Sequence, residues 1–324
     1  MTAGEPRVHV LHENAEWLDP FRRALDAEGV PFEEWDLVEG AIDLASEPPA
    51  GVFWSRISAS SHTRGHRHSK DYARAVLSWL EAHGRRTVNG RRVLELEVSK
   101  VAQLAALRAA GIDVPRTVAV VGAGGVIAAA AGFPAPFVIK HNQGGKGLSV
   151  QRIDDHADLP AALAAAEPPV DGITLVQEYV RPAQPFITRV EIVGGELVYA
   201  ITADTEHGGF QLCPADACAV DPVTGAFLVP PGATSAPVAG QSLFALRESR
   251  PGEGFAHPIV ADYLAFTRAH GIEVAGIEFI ETADGRVVTY DVNTNTNYNA
   301  DVEAVAPRSA PRALARYLGG LLSS

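Results

Sequence analysis

The chain has 324 residues, 47% of them hydrophobic and 20% charged, with a formal net charge of −12 at pH 7. That length suits two or three packed lobes, and an acidic balance without a Lys/Arg-rich tract argues against a nucleic-acid partner, since neutralising phosphates needs clustered cations. No apolar run approaches the roughly 20 residues of a membrane helix, and residues 1–6 carry no apolar signal core, so no membrane partner and a cytoplasmic location are expected.

Residues 8–11 read as a short strand, 15–29 as an amphipathic helix closed by Gly29, and 31–37 as a second strand. Residues 51–54 form a buried third strand. The polar run 55–70 then interrupts the pattern, before a helix over 71–83 and a strand over 86–89. This alternation predicts a mainly parallel sheet, and hence an α/β lobe up to about residue 92. A helix is expected over 94–110, stopped by Gly111 and Pro115. Next come a strand over 116–121, a short helix over 126–131, and a strand over 136–140 that runs into Gln143-Gly-Gly-Lys-Gly147 and out through 148–152. A helix over 155–166 leads to an apolar strand over 173–179. Strands 187–193 and 196–202 flank Gly194-Gly195, a two-residue hairpin signal. Residues 206–251, rich in Gly, Pro and Ala, read as irregular. A helix over 256–270 precedes strands 274–281 and 286–292, joined at Asp284-Gly285, and a last helix lies near 311–322.

Glu278 sits in one strand of that final hairpin, Asp291 and Asn293 in the other. Strand residues two apart share a face, so Asp291 and Asn293 project together and Glu278 reaches the same place. Two carboxylates and an amide oxygen, without imidazole or thiolate, suit Mg2+, with Mn2+ as a substitute; a solvated acidic face is the alternative. Lys140 ends an apolar strand just before Gly144, Gly145, Lys146 and Gly147. Its ammonium is placed to meet nucleotide phosphates while the glycines let backbone N–H groups close over them; an ordinary hairpin turn has the same composition. The order of a P-loop is absent. Gly122-Ala-Gly-Gly125 imitates a dinucleotide-binding turn, yet Ile127 fills its third small position, and Lys140-His141 stands where an acidic ribose ligand belongs.

The 56–70 segment concentrates cations and hydroxyls directly after a buried strand, where loops of open α/β sheets meet ligands. Arg56 and Arg64 are expected to pair bidentately with substrate carboxylates, with Ser58 and His62 beside them. His62, His66 and His68 raise a zinc reading, and a solvated surface loop is a third. Asn293-Thr-Asn-Thr-Asn-Tyr-Asn299 is dense in amides, and Asn295 and Asn297 suit orientation of an amino acid or peptide amine; the alternative is a polar turn ending a strand. Only two cysteines occur, Cys213 and Cys218. Their spacing does not match a zinc site, and Cys213 falls in a 210–218 segment expected to wall the pocket.

Taken in order, Ser99-Lys100 opening a helix, Gly111-Ile-Asp-Val-Pro-Arg-Thr117, Pro136-Phe-Val-Ile-Lys140, residues 143–147, Val176-Gln-Glu-Tyr-Val180, Arg189, Ala275-Gly-Ile-Glu278 and Asp291-Val-Asn293 resemble the ATP-grasp superfamily. Among its members the RimK-type glutamate ligases look most similar. The match spans about residues 95–305. The resemblance implies an α/β (α+β) fold with an N-terminal pre-ATP-grasp domain over 1–94, a first ATP-grasp lobe over 95–180 and a C-terminal lobe with a metal site over 181–324. It implies ATP between two lobes, with Lys100 and Lys140 on the phosphates and Gln177, Glu178, Tyr179 and Val180 along the adenine. Arg189 would face the transferred phosphate, where fixed positive charge is worth most. The implied activity is a carboxylate–amine ligase that works through an acyl phosphate on small-molecule substrates, an amino acid or a peptide. An ATP-grasp kinase and a non-catalytic nucleotide-binding module are the alternatives, and a homodimer is left open. The chain departs from the family at three places. Ile187-Thr188 replaces an acidic residue, which moves the ribose contact elsewhere, with the Glu178 side chain as one source. Ala203-Asp204 stands where a second arginine is usual, and Cys213 where an asparagine is.

Overall fold

The computed structural model describes residues 5–145, 147, 149–208 and 242–323. Three sheets follow one another along the chain. In the first, β1 (Arg7–His12), β2 (Phe32–Asp36), β3 (Gly51–Arg56) and β4 (Arg86–Val88) lie in the order β2-β1-β3-β4 and pair parallel throughout. Side chains of β1 and β3 alternate between two cores. Val8, Val10, Val52 and Trp54 pack with α1 (Asp19–Ala27), whereas Leu11 and Phe53 pack with α2 (Ser69–Ala82). Covered on both faces, these strands read as unbroken apolar runs. The helix expected over 15–29 starts as a 3-10 turn, Ala15–Leu18, and becomes α-helical at Asp19, where Pro20 needs no hydrogen bond for its missing N–H.

The single helix expected over 94–110 is two, α3 (Arg91–Val98) and α4 (Lys100–Ala109). Ser99 between them is extended, with φ −133° and ψ 108°, and its side chain caps the N–H of Ala102. In the second sheet, β5 (Thr117–Val121), β6 (Phe137–His141), β7 (Gln151–Ile153) and β8 (Ile173–Glu178) take the order β5-β8-β6-β7. All its pairs are antiparallel, so the turn at Gly122 opens no parallel β-α-β unit. Helices α5 (Ala123–Ala130) and α6 (Leu159–Ala165) supply Val126, Ala130 and Leu159 to a small core of its own. The helix expected from 155 becomes α-helical only at Leu159, again with a proline at its start.

The third sheet is antiparallel, in the order β11-β10-β9-β12-β13. It contains β9 (Phe186–Val193), β10 (Glu196–Asp204), β11 (Phe244–Arg247), β12 (Val274–Glu281) and β13 (Val287–Asn293), with helices α7 (Thr205–Gly208), α8 (Ile259–His270), α9 (Ala300–Val305) and α10 (Ala310–Leu322). β11 corrects the irregular reading of 206–251: four residues are too few to display a period, and it is recruited by pairing with β10. α8 begins after Pro258, not at 256, and α9 is an unexpected turn capped by the Asn299 side chain. Cys213, Cys218, Lys146 and the rest of 209–241 lie outside the described residues.

One core runs from Val8 and Trp54 through Val193 and Val274 to Leu314 and Leu318, because α10 packs on β1 and β3 as well as on β9 and β10. The first and third sheets are thereby one packed body. The second sheet, with its separate core, faces that body across a cleft. Among the described residues no helix is long and apolar enough to cross a membrane.

Candidate active site

The cleft holds a cavity of about 450 Å³ lined from both sides. On one wall Lys140, nearly fully buried, stands one residue before the end of β6, and Lys100 is the first residue of α4. Asn142 joins the two. Its Oδ1 accepts from Ser99 Oγ (3.2 Å) and Val101 N (2.9 Å), its carbonyl accepts from Lys100 N (3.2 Å), and its Nδ2 donates to Asp171 (2.7 Å). Burial pushes the Lys140 ammonium down to about 8, and the charge of Lys100 adds to the shift. Burial also weighs on Lys100, but the Asp291 carboxylate, to which its Nζ donates, holds it above its ordinary value.

Opposite Lys140, and in direct contact with Lys100, stands the β12–β13 hairpin. Glu278 pairs across with Asp291, and Gly276 with Asn293. Asn293 Nδ2 donates to Glu278 Oε1 at 3.2 Å, an orientation that an amide flip would reverse to present oxygen. Gln103 on α4 fixes the end of β13 by accepting from Val292 N (2.9 Å) and donating to Val292 O (2.7 Å). Burial opposes ionisation of Asp291, yet Lys100 and Lys140 hold its carboxyl below the usual range. Burial, with the nearby Asp291 charge, pushes Glu278 up against the pull of Arg189. Two carboxylates and an amide on adjacent strands, one already faced by an ammonium, form the oxygen set that a hard divalent cation takes. Among the described residues no group of three or more His, Cys, Asp or Glu is placed to hold a metal, so a cation here would need water or phosphate oxygens to complete its shell.

Arg189 on β9 lies beside the hairpin, across from Glu278, and is 4% exposed. Its Nε donates to Glu191 (2.6 Å), one Nη to Glu278 (2.8 Å) and the other to Thr296 Oγ1. Gly276 makes room for it, since a Cβ there would overlap the guanidinium. Further along the cavity, Gln177, Glu178, Tyr179 and Val180 line it with the apolar Ile187 and Ile280. Gln177 donates to Thr117 Oγ1 (2.8 Å), while Glu178, one source considered for a ribose contact, accepts from Arg286 (3.2 Å). Gly144, Gly145 and Gly147 also line the cavity, and Gly145 rests against Ser60 of the N-terminal α/β lobe.

Ser58, Asn295 and Asn297 reach the same cavity; Arg56, His62 and Arg64 are not among its lining residues. Arg56, 3% exposed, donates to Trp17 O, Thr296 O and Asn297 Oδ1 and lies 4.1 Å over the Phe21 ring. Arg64 pairs with the buried Glu13 at 2.6 Å, which also takes His66, and His62 stands 3.4 Å from the Lys70 ammonium. The two arginines expected to grip substrate carboxylates are thus engaged by the protein's own groups, Arg56 buried and Arg64 partly so. The zinc reading of the three histidines finds no matching cluster among the described residues. Asn142, Gln103, Glu97 and Glu191 were not singled out as site residues. For Glu97, Gln103 and Glu191 the signal is a polar residue flanked by apolar ones, as Glu191 is between Val190 and Ile192, where burial demands a partner; Asn142, between His141 and Gln143, carries no such signal.

Residues 97–218 match the RimK-like ATP-grasp domain family. A RimK domain ATP-grasp protein from Sphaerobacter thermophilus DSM 20745 is similar in structure with a TM-score of 0.65 at 17% identity, over 96% of this chain and 98% of that one. The ATP-grasp ligase PsnB, complexed with minimal precursor, Mg and ADP, gives 0.64 at 16% identity over 97% of each chain. D-cycloserine synthetase DcsG gives 0.63 at 19% identity, over 97% of this chain and 99% of that one. No curated protein matches the sequence. At these identities the structural likeness is one of fold. Residues 97–218 thus carry a RimK-like ATP-grasp domain match, and the chain as a whole shares the fold of these ATP-grasp proteins.

Proposed function

We propose that the chain is an ATP- and magnesium-dependent ligase that joins a carboxylate to an amine through an acyl phosphate, releasing ADP and phosphate. One observation carries this reading: Lys140 stands across a single cavity from Glu278, Asp291 and Asn293, with Lys100 donating to Asp291 between them. Magnesium at those three side chains would supply the charge that draws electrons toward the leaving ADP. Lys140, desolvated and fixed, meets phosphate charge without the screening that water would give. The glycine run offers backbone N–H groups over the phosphates, and Gln177, Glu178, Tyr179 and Val180 hold the base. Arg189 is already oriented by Glu191, Glu278 and Thr296, so it faces developing negative charge with no reorganisation.

A carboxylate oxygen takes the γ-phosphoryl group. The amine nitrogen then bonds to the carbonyl carbon as the carbon–oxygen bond to phosphate breaks, and the nitrogen loses its proton. No side-chain nucleophile is needed, and positioning supplies much of the rate. The same reading divides the chain at about residues 94 and 180 and puts it in the cytoplasm. Proteins of this fold include PsnB complexed with precursor peptide PsnA2 and AMPPNP, and D-cycloserine synthetase, which supports amino acid or peptide substrates here. ADP release measured over a matrix of carboxylates and amines tests the proposal. Release that needs both partners is expected. Release with the carboxylate alone would mark a kinase, and no ATP turnover with any pair would leave a binding module.

A further inference from the structure

Within 293–297 four of the five side chains are anchored. Asn293 is on Glu278, Thr294 on Glu97, Thr296 on Arg189 and Glu191, and Asn297 on Arg56. Asn89 adds a bond from its Nδ2 to Thr294 O at 3.0 Å, so both neighbours of Asn295 are held from several directions. Asn295 itself lines the cavity, is 9% exposed, and finds no hydrogen-bond partner among the described residues for either Oδ1 or Nδ2. A buried carboxamide left with both atoms unpaired is costly, and a loop pinned this firmly gives it no freedom to seek a partner within the chain. The partner it is set for comes from the cavity.

The surroundings decide what that partner is. Cations on this side are taken: Arg56 by two carbonyls and Asn297, Arg64 by Glu13, and Arg189, under the ligase reading, by the transferred phosphate. The acid here, Glu97, is engaged by Thr294 N (2.7 Å) and Oγ1 (2.9 Å). A carboxylate against Asn295 would receive one donor, face the lone pairs of Oδ1, and meet no free cation to offset its burial. A primary amide presents an N–H and a C=O side by side, the complement of both Asn295 atoms, whereas a trans peptide bond turns them to opposite sides. We propose that Asn295 recognises the amine substrate through an uncharged amide next to the reacting nitrogen. The class is an amino acid with a primary carboxamide in place of its carboxylate, in preference to a free amino acid.

This inference rests on the ligase reading, and one experiment separates the two. Protein saturated with AMPPNP and magnesium is titrated calorimetrically with L-amino acid amides and with the corresponding free amino acids, as wild type, Asn295→Leu and Asn295→Asp. In the wild type the best amides should bind at least about tenfold tighter than their acids. Asn295→Leu should bring the two classes within about twofold of each other, and Asn295→Asp, an acceptor facing an acid, should weaken the acids further. Free amino acids binding as well as amides, no binding of either class, or a preference that survives Asn295→Leu would overturn the inference. Failure of the wild type to bind AMPPNP would instead remove the ligase reading beneath it. If the leucine variant does not fold, the comparison of wild type with Asn295→Asp still decides.

Discussion

The β12–β13 hairpin and the 56–70 segment each bring several charged side chains to the edge of one cavity, but they turn them in opposite senses. In the hairpin, Glu278, Asp291 and Asn293 all face the cleft, because strand alternation and the pairing of Glu278 with Asp291 leave no choice of direction. In the segment, Arg56 and Arg64 turn inward, one to the backbone of Trp17 and Thr296, the other to buried Glu13. The hairpin therefore presents charge to ligands, while the segment uses charge to hold the floor on which Asn297 and Trp17 sit. Residue type tells what a side chain is able to bind; backbone geometry tells whether it is free to do so.

The comparison is tested most strongly on the cleft side. Lys140→Met should lower kcat/KM for ATP turnover by about 10²–10³ while leaving the urea midpoint equal or higher, since a desolvated charge is removed. Arg56→Leu should do the reverse. It should destabilise the fold by about 2–4 kcal/mol in urea, yet leave AMPPNP affinity within about threefold. Loss of substrate binding at full stability would show that Arg56 does serve ligands. Gly276→Ala, which displaces the Arg189 guanidinium, should reduce turnover by roughly 10-fold with KM for ATP little changed.

The smallest effect concerns Lys70, whose ammonium donates to Gln143 (2.6 Å) in the glycine-rich loop and is pulled by burial from 10.5 to about 8. Between those two values the unfolded chain keeps a proton there that the folded chain has released. The stability penalty is complete below about pH 8 and fades as pH rises toward 10.5. Urea midpoints should thus shift in favour of the wild type over Lys70→Met across that window. A difference that stays flat with pH would contradict the assignment.

Much of this was legible in the chain itself. Strands carried their own signals: an apolar run ending in Lys140, a hairpin turn at Gly194-Gly195, and a spacing of two between Asp291 and Asn293. What escaped depends on contacts across long sequence separation. The helical period alone runs through Ser99, though the family resemblance already sets Ser99-Lys100 at a helix start; the break is held by Asn142, 43 positions later, which receives its hydroxyl. β11 has no period to read and exists by pairing with β10. Arg56 looks like a substrate ligand until Asn297, 241 positions away, accepts its N–H. Glu191 showed only as an acid in an apolar strand, and its meaning waits on Arg189 and Thr296.

The ligase reading requires the hairpin to be a cation site, opposite Lys140 and beside Lys100. AMPPNP affinity measured by calorimetry at rising magnesium, for the wild type and for Asp291→Asn, addresses that directly. The wild type should bind more tightly as magnesium rises, and the variant should show little or no such gain at comparable stability. An equal magnesium-dependent gain in both proteins would contradict it.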